Sequence, residues 1–377
     1  MQKNKILTIL SVAFLFRLVL WYIQYFVTNL PQAGRDTIMF DNWAHRMMND
    51  NYGHTYQEIF MNGALLNGYI GSVIYSIVGR QPMLWGFFYL ILGICTVYII
   101  HKAVYMITKD YKFANRAGWF ACLFPNMAIM SVIILREQPI HFFISLSVLY
   151  FIKYLKNKNA ANFSIFLLAG CAASIFHSAV FSLFLGAILY LTLFAKKISI
   201  YSKILVVSLS IGGLFFINTT GIGLSKFGGS FESALEMASD GGGAMKEDAG
   251  SNYPDWLVLK GSVTDLLIVP IRIIAFLFAP LLPFLVRSGG QAIGLLDAFF
   301  YLAIFYNIFK NKVIHEKSDT AKYLFVTIFI MTFAFSFGAS NFGTNIRHRA
   351  KLIPIILMIP LITEKERKSI KKFQQLK

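Results

Sequence analysis

The chain is poor in charge. Only 14% of its 377 residues are Asp, Glu, Lys or Arg, against 56% hydrophobic, whereas soluble domains carry about 25% charged residues. An ordinary soluble protein is thereby excluded. Acid is the scarcer sign, with 18 Asp and Glu against 35 Lys and Arg. The three cysteines, Cys95, Cys122 and Cys171, all fall inside apolar runs. They suggest packing residues, neither a disulfide framework nor a set of metal ligands. The histidines show no pairing at zinc spacing. No internal repeat is visible, which lowers the case for an inverted-repeat transporter.

What the chain has instead is apolar runs long enough to cross a bilayer, which takes roughly 20 residues. The first, Ile6 to Tyr25, follows lysines and has no small-residue cleavage site after it, so it reads as an uncleaved helix rather than a signal peptide. With Lys3 and Lys5 inside, loops rich in Lys and Arg stay on the cytoplasmic side. This rule predicts crossings at Leu84–Met106, Trp119–Leu135, Pro139–Leu155, Phe163–Phe176, Val180–Phe194, Ile204–Ile217, Ile293–Phe309, Tyr323–Phe337 and Ile353–Ile362. Two stretches fit better as re-entrant or interfacial segments of the outer face. Gly63–Val78 is short and interrupted by glycines, and Val263–Leu285 carries Arg272 and three prolines. The expectation is one all-α polytopic membrane domain over residues 1–377, with about ten transmembrane helices. It would have a first outer loop at 31–83, and a long polar outer loop plus interfacial segment at 218–291. Most of the basic residues then lie inside, so the basic excess is a topology signal and implies a lipid bilayer, with no nucleic acid.

In that topology the unusual polar residues collect at the outer surface, where ionisable groups near lipid usually have a function. The stretch Gly34–Met47 (GRDTIMFDNWAHRM) is the densest. As a helix it would place Asp36, Phe40, Trp43 and Met47 on one face. Asp36 then either caps the helix after Gly34 or, half-buried with a raised pKa, serves as a base; the two roles are compatible. Asp41 points elsewhere and is expected to be solvated. Arg136–Pro139 (REQP) offers an arginine for a phosphate oxygen and Glu137 as a second carboxylate, or else a pair that only neutralises itself. His177, at a hairpin, is a structural residue or a ligand. Arg272 binds an anion or snorkels. Arg347, His348 and Arg349 (RHR) form a phosphate-binding candidate or an interfacial anchor.

Several features resemble the GT-C superfamily of membrane glycosyltransferases. These are an acidic residue in the first outer loop, a short membrane-associated helix ending in Val78–Gly79, Phe124–Pro125 within the third span, and Arg136–Glu137 at its outer end. The block from Arg136 through His177–Ala179 and the run Phe276–Pro283 (FLFAPLLP) are also similar to EpsG-like and O-antigen-polymerase-like proteins of bacterial polysaccharide loci. The resemblance implies a polyprenyl-phosphate or polyprenyl-diphosphate sugar donor, a glycan or lipid-glycan acceptor, and a site on the outer face of a bacterial cytoplasmic membrane with both termini inside. It carries the base role to Asp36, the second acidic position to Glu137, where many relatives have aspartate, and the arginine before the last span to Arg349. No tyrosine stands near Arg349 and Pro354 as it does in relatives. Arg136, Arg272 and Arg349 would hold the phosphate. A soluble nucleotide sugar has no visible site, because no glycine-rich loop follows a strand. No cofactor is obligatory; a divalent cation such as Mg²⁺ between Asp36 and Glu137 stays open. The rival expectation is a lipid-linked oligosaccharide flippase, which should carry charges through several spans; only Arg17 stands mid-helix here.

Overall fold

The structure is a computed structural model that describes residues 4–49, 53–195, 253–257, 265–281, 288–315, 318–337 and 341–375, with isolated positions between them. The expected crossing Ile204–Ile217 and most of the 218–261 loop lie outside the described residues. The described residues are 83% helix, with no β-strand among them. Among the described residues, four helices are long and apolar enough to cross a membrane: Ile6–Val27, Pro82–Thr108, Gly289–Lys310 and Asp319–Phe337.

Helix α1 (Ile6–Tyr22) runs on into a π-helical turn, Ile23–Val27. Helix α2 (Arg35–Met48) is followed by α3 (Tyr56–Met61), which starts from a Thr55–Glu58 capping box. Helix α4 (Gly63–Val78) is capped by the Asn62 side chain and stops at Gly79, whose φ of 77° suits glycine. Helix α5 (Pro82–Thr108) opens with proline in its first turn, where the missing N–H costs nothing. Helices α8 (Glu137–Asn157), α9 (Ala160–Phe176) and α10 (Ser182–Leu193) follow the broken pair α6 (Tyr111–Leu123) and α7 (Pro125–Met130). Then come α11 (Asp265–Phe278), α12 (Gly289–Lys310), α13 (Lys312–His315), α14 (Asp319–Phe337), α15 (Phe342–Ala350), α16 (Ile353–Leu357) and α17 (Glu364–Gln375).

Four long apolar helices are fewer than the ten crossings expected, and the shortfall has physical causes. The run Trp119–Leu135 is not one helix. Proline has no N–H to return to the carbonyl of Ala121, so α6 stops at Leu123, α7 begins at Pro125, and residues 131–136 leave the helix altogether. The run Ile353–Ile362 is helical only over α16. Helix α8 is long enough, but it carries Glu137, Gln138, His141 and two serines among its apolar residues. The segment Val263–Leu285 yields α11, a 14-residue helix with Pro270 inside it.

The break at Pro125 is held by opposite charges from two other helices. Arg17, fully buried in α1, donates to the carbonyls of Cys122 (3.0 Å) and Ala121 (3.2 Å), which the break leaves unbonded. On the other side, the carboxylate of Asp297 in α12 accepts the Asn126 N–H at 3.2 Å. A cation thus meets the C-terminal end of α6 and an anion the N-terminal end of α7, the signs that the helix dipoles favour. Arg17, the mid-helix charge the sequence singled out, is a structural clamp on this break, and Asp297 is a second charge of the same kind, inside α12.

The main core fills the space among α5, α6, α8, α9, α10 and α14, with Phe124, Phe151, Phe166 and Tyr323 among its buried rings. A second core joins α2, α4 and α5. There a Cβ on Gly71 would stand 2.4 Å from the Trp85 ring, so glycine lets α4 and α5 close together.

Contacts sort into two ends. At one, the Lys5 N–H donates to Asn115, Arg116 donates to the Leu361 carbonyl, Arg116 and Lys112 pair with Glu366, and Asn307 donates to the Ile362 carbonyl. Both the N-terminal segment and α17 therefore lie at this lysine-rich end. At the other, Tyr25 donates to the Val132 carbonyl, Arg136 to the Phe176 carbonyl, and Gln32 approaches Gly290.

Candidate functional site

At that second end, polar side chains from four distant segments meet. Helix α2 starts at Arg35 with Gly34 as its cap residue and no side-chain cap bond. Asp36 is therefore not the helix cap; its carboxylate instead forms an ion pair with Arg347 of α15. Arg347 also donates from Nε to Gln32 Oε1 at 3.1 Å and from Nη2 to the Gln32 carbonyl at 3.3 Å. The face of α2 drawn from the sequence is the one that packs inward: Phe40 and Ala44 are buried, and Asp36, Trp43 and Met47 are half-buried beside them.

Behind Arg347 sits a second pair. Lys351, fully buried, lies 3.5 Å from Glu137 and donates to the Arg347 carbonyl at 3.2 Å. Burial pushes the Glu137 carboxyl up, but the charges of Lys351, Arg347 and Arg136 outweigh it and hold the group at about 2. For Lys351 burial wins over Glu137, and its ammonium comes down to about 8. Alongside, His177 and His348, 171 residues apart in sequence, place their Nε2 atoms 3.3 Å from each other, with the Phe335 ring against both. Arg136 donates to the Phe176 carbonyl at 3.3 Å and adds a third positive charge facing Glu137.

Asp36, Arg136, Glu137, His177, Arg347 and His348 are thus brought to one end of the bundle. Arg272 and Arg349 point elsewhere. The guanidinium of Arg272 donates to the carbonyls of Leu257 (2.6 Å), Ser336 (2.8 Å) and Phe337 (3.3 Å) and lies over the Tyr253 ring. Arg349 is fully buried and donates to the carbonyls of Ala279 (2.6 Å), Leu277 (3.1 Å) and Gly294. Both tie helices together, mostly through carbonyls at or just past helix ends; Gly294, inside α12, is the exception. The two arginines of RHR, two positions apart on a helix, face opposite ways: Arg347 toward α2, Arg349 into the bundle.

Asp41 is not solvated. It accepts from Tyr75 Oη at 2.6 Å and from Arg80 Nη2 at 2.5 Å, locking α2 to the end of α4. Asp36 and Glu137 are each matched to a cation of their own, Arg347 and Lys351. Among the described residues no group of three or more His, Cys, Asp or Glu stands ready to hold a metal.

Lys351 and His141 are the members that sequence reasoning missed. Glu137, His141 and Ser145 repeat every four residues along α8, and all are buried. A polar stripe at helical spacing inside an apolar segment was the available signal. Helix α2 also carries a surface depression of about 320 Å³ lined by Arg35, Ile38, Met39, Asn42, Trp43 and Arg46.

The fold and site define an all-helical protein with membrane-length apolar helices and a charged cluster at one end of them. No family model, no curated protein and no solved structure matches the chain. The site is therefore read from its own geometry.

Proposed function

We propose that this protein is a membrane-embedded glycosyltransferase. It takes a sugar or oligosaccharide from a polyprenyl-phosphate or polyprenyl-diphosphate donor at the outer face of the cytoplasmic membrane, in the synthesis of a cell-surface polysaccharide. The observation that carries this reading is the Asp36–Arg347 pair. It is a half-exposed carboxylate and a guanidinium at the charged end of the bundle, and Arg35, Arg46 and the Trp43 indole line a depression on the same helix α2.

The chemistry asks for little more. A lipid phosphate leaves without strong protonation, so the reaction needs a base for the acceptor hydroxyl and cations for the departing phosphate. Asp36 supplies the base. Arg347 and Arg136, with the histidine pair behind them, supply positive charge and donors. Arg347 has two calls on its guanidinium, and an arriving phosphate competes with Asp36 for it, so donor binding frees the base. Trp43 offers a flat apolar face to a sugar ring. The topology that goes with this reading has ten crossings, with both termini cytoplasmic and the site outside. It is supported by the contacts that bring Lys5 and Glu366 to the same end as the lysine-rich loops.

The broken helix at Pro125 does not turn the argument toward a transporter. Discontinuous helices in transporters leave their ends free to meet ions, whereas here Arg17 and Asp297 already occupy both ends. The deciding experiment is Asp36→Asn in a strain whose surface polysaccharide depends on this protein. Transfer should fall by at least about 100-fold, as expected for loss of a general base, with the protein still made and folded. Normal polysaccharide with Asp36→Asn would remove the base and this reading with it.

A further inference from the structure

The lysine-rich end of the bundle holds a device that the transferase reading does not use. Helices α5 and α8 both terminate on a lysine in the left-handed region. Lys109 has φ 56° and ψ 22°, and Lys158 has φ 52° and ψ 25°. In each case the lysine N–H returns to the carbonyl of a tyrosine four residues earlier, Tyr105 at 2.7 Å and Tyr154 at 2.8 Å. Glycine or asparagine is the usual residue there, because an L side chain crowds its own backbone. Two helices accept the same unfavourable choice, and both use it for a lysine.

Those lysines then fold back over the same tyrosines. The Lys109 ammonium lies 6.0 Å from the Tyr105 ring centre, and that of Lys158 lies 5.3 Å from Tyr154. The pairing recurs nearby: Lys102 over Tyr98 at 5.4 Å, Lys153 over Tyr150 at 3.8 Å, and Lys310 over Tyr306 at 5.3 Å. Among the described residues every lysine stacked on a tyrosine is at this end. Its acids are already engaged. Asp110 caps α6, Glu366 pairs with Lys112 and Arg116, Asp319 with Lys322, and Glu364 with Arg367. The Glu366 contacts also pin α17 to the rim, and α17 presents exposed Lys365 and Lys368 beside it.

Tyrosine and lysine in this arrangement belong at the boundary between hydrocarbon and headgroups. The ring and the lysine stem cover apolar surface while the hydroxyl and ammonium reach water. Each pair presents one positive charge to a phosphate, and all but the pair on the buried Tyr154 add a tyrosine at least partly exposed. We propose that this rim binds the headgroups of anionic phospholipids in the leaflet it faces, with the lysine–tyrosine pairs as the phosphate clamps. The proposal stands on the membrane reading alone and survives if the protein transfers no sugar.

The test uses the full chain in nanodiscs of phosphatidylcholine to which phosphatidylglycerol is added stepwise, with the thermal unfolding midpoint followed. The midpoint should rise with phosphatidylglycerol, and salt should reverse the rise. The double variant Lys109→Gly, Lys158→Gly separates lipid binding from folding, because glycine suits both left-handed positions. It should match or exceed the native chain in pure phosphatidylcholine. It should also need roughly five-fold more phosphatidylglycerol for each lysine removed to reach half the rise. An unchanged phosphatidylglycerol dependence overturns the proposal. So does a variant that unfolds earlier in pure phosphatidylcholine with its lipid response intact, which would make the lysines structural caps. An equal rise from inorganic phosphate in pure phosphatidylcholine overturns it too, by making the rim a site for free phosphate.

Discussion

Replacing Lys351 with methionine removes the buried partner of Glu137 and leaves a carboxylate that is 4% exposed facing a gap. Breaking a buried ion pair from one side usually costs about 3–5 kcal/mol. Arg136 and Arg347 also face Glu137 and soften the loss, so the expected cost is near the low end, about 3 kcal/mol. Glu137→Gln should cost less, about 2 kcal/mol, because the stranded lysine has an escape. Burial already holds Lys351 at about 8, and without Glu137 it sheds its proton. A lysine whose folded pKa lies below its unfolded value destabilises the fold while pH is low, and the penalty fades as pH rises through that window. The Glu137→Gln defect should therefore shrink as pH rises toward about 8, the native Lys351 value, and stay level above it, while the Lys351→Met defect should show no such fade. The double variant carries neither charge and should lie within about 1 kcal/mol of the native chain, a coupling of at least about 4 kcal/mol. Reversible unfolding by detergent titration measures all three. Two results refute the reasoning: a Lys351→Met cost below about 1 kcal/mol, or a double variant as unstable as the two single costs added together. The double variant also assigns Glu137 its role. If Glu137 acts only by holding Lys351 and the Arg347 carbonyl in place, the double variant still makes polysaccharide; if the reaction uses its carboxylate, the protein folds and makes none.

Arg17→Leu strips two buried carbonyls of their donors at the Pro125 break, and each such orphan costs about 1–3 kcal/mol. The variant should lose about 3 kcal/mol or more in the same titration, and wild-type stability would show that the clamp is not needed. Glu366 anchors α17. Burial pushes its carboxyl up, but hydrogen bonds from Arg116 and Lys112 prevail and hold it at about 2, against 4.5 ordinarily. A depressed carboxyl stabilises the fold above its unfolded pKa and loses that contribution as pH falls toward the folded one. Solvent at the bundle's end limits the effect to about 1–2 kcal/mol. Proteolytic release of the C-terminal helix should rise as pH drops from about 5 to 2 in the native chain. In Glu366→Gln it should already be high at neutral pH, and equal release from both proteins across that range would exclude the anchor.

The sequence alone determined the elements. Apolar runs and their flanking lysines marked most of the helices to within a few residues, and Gly63–Val78 appears with the bounds the glycines and Val78–Gly79 suggested. Local chemistry sets these, because hydrophobic period, caps and proline act over a few residues. The sequence also pointed to the end where the polar residues gather, since lysines sort the loops. The partners were not legible. Asp36 reads as a helix cap or a free base until α15, 311 residues later in the chain, brings Arg347 against it. Arg347 and Arg349 look alike as RHR, yet helix rotation turns one toward a carboxylate and the other toward backbone carbonyls. Lys351 carried no signal of its own in the sequence, and Asp41 looked like a solvated acid, until Glu137 and Arg80 were placed beside them. An ion pair needs two groups within about 4 Å, and in a bundle of this size that distance is set by how the helices pack. Which residues are charged is written locally; which charges meet is decided only by the tertiary fold.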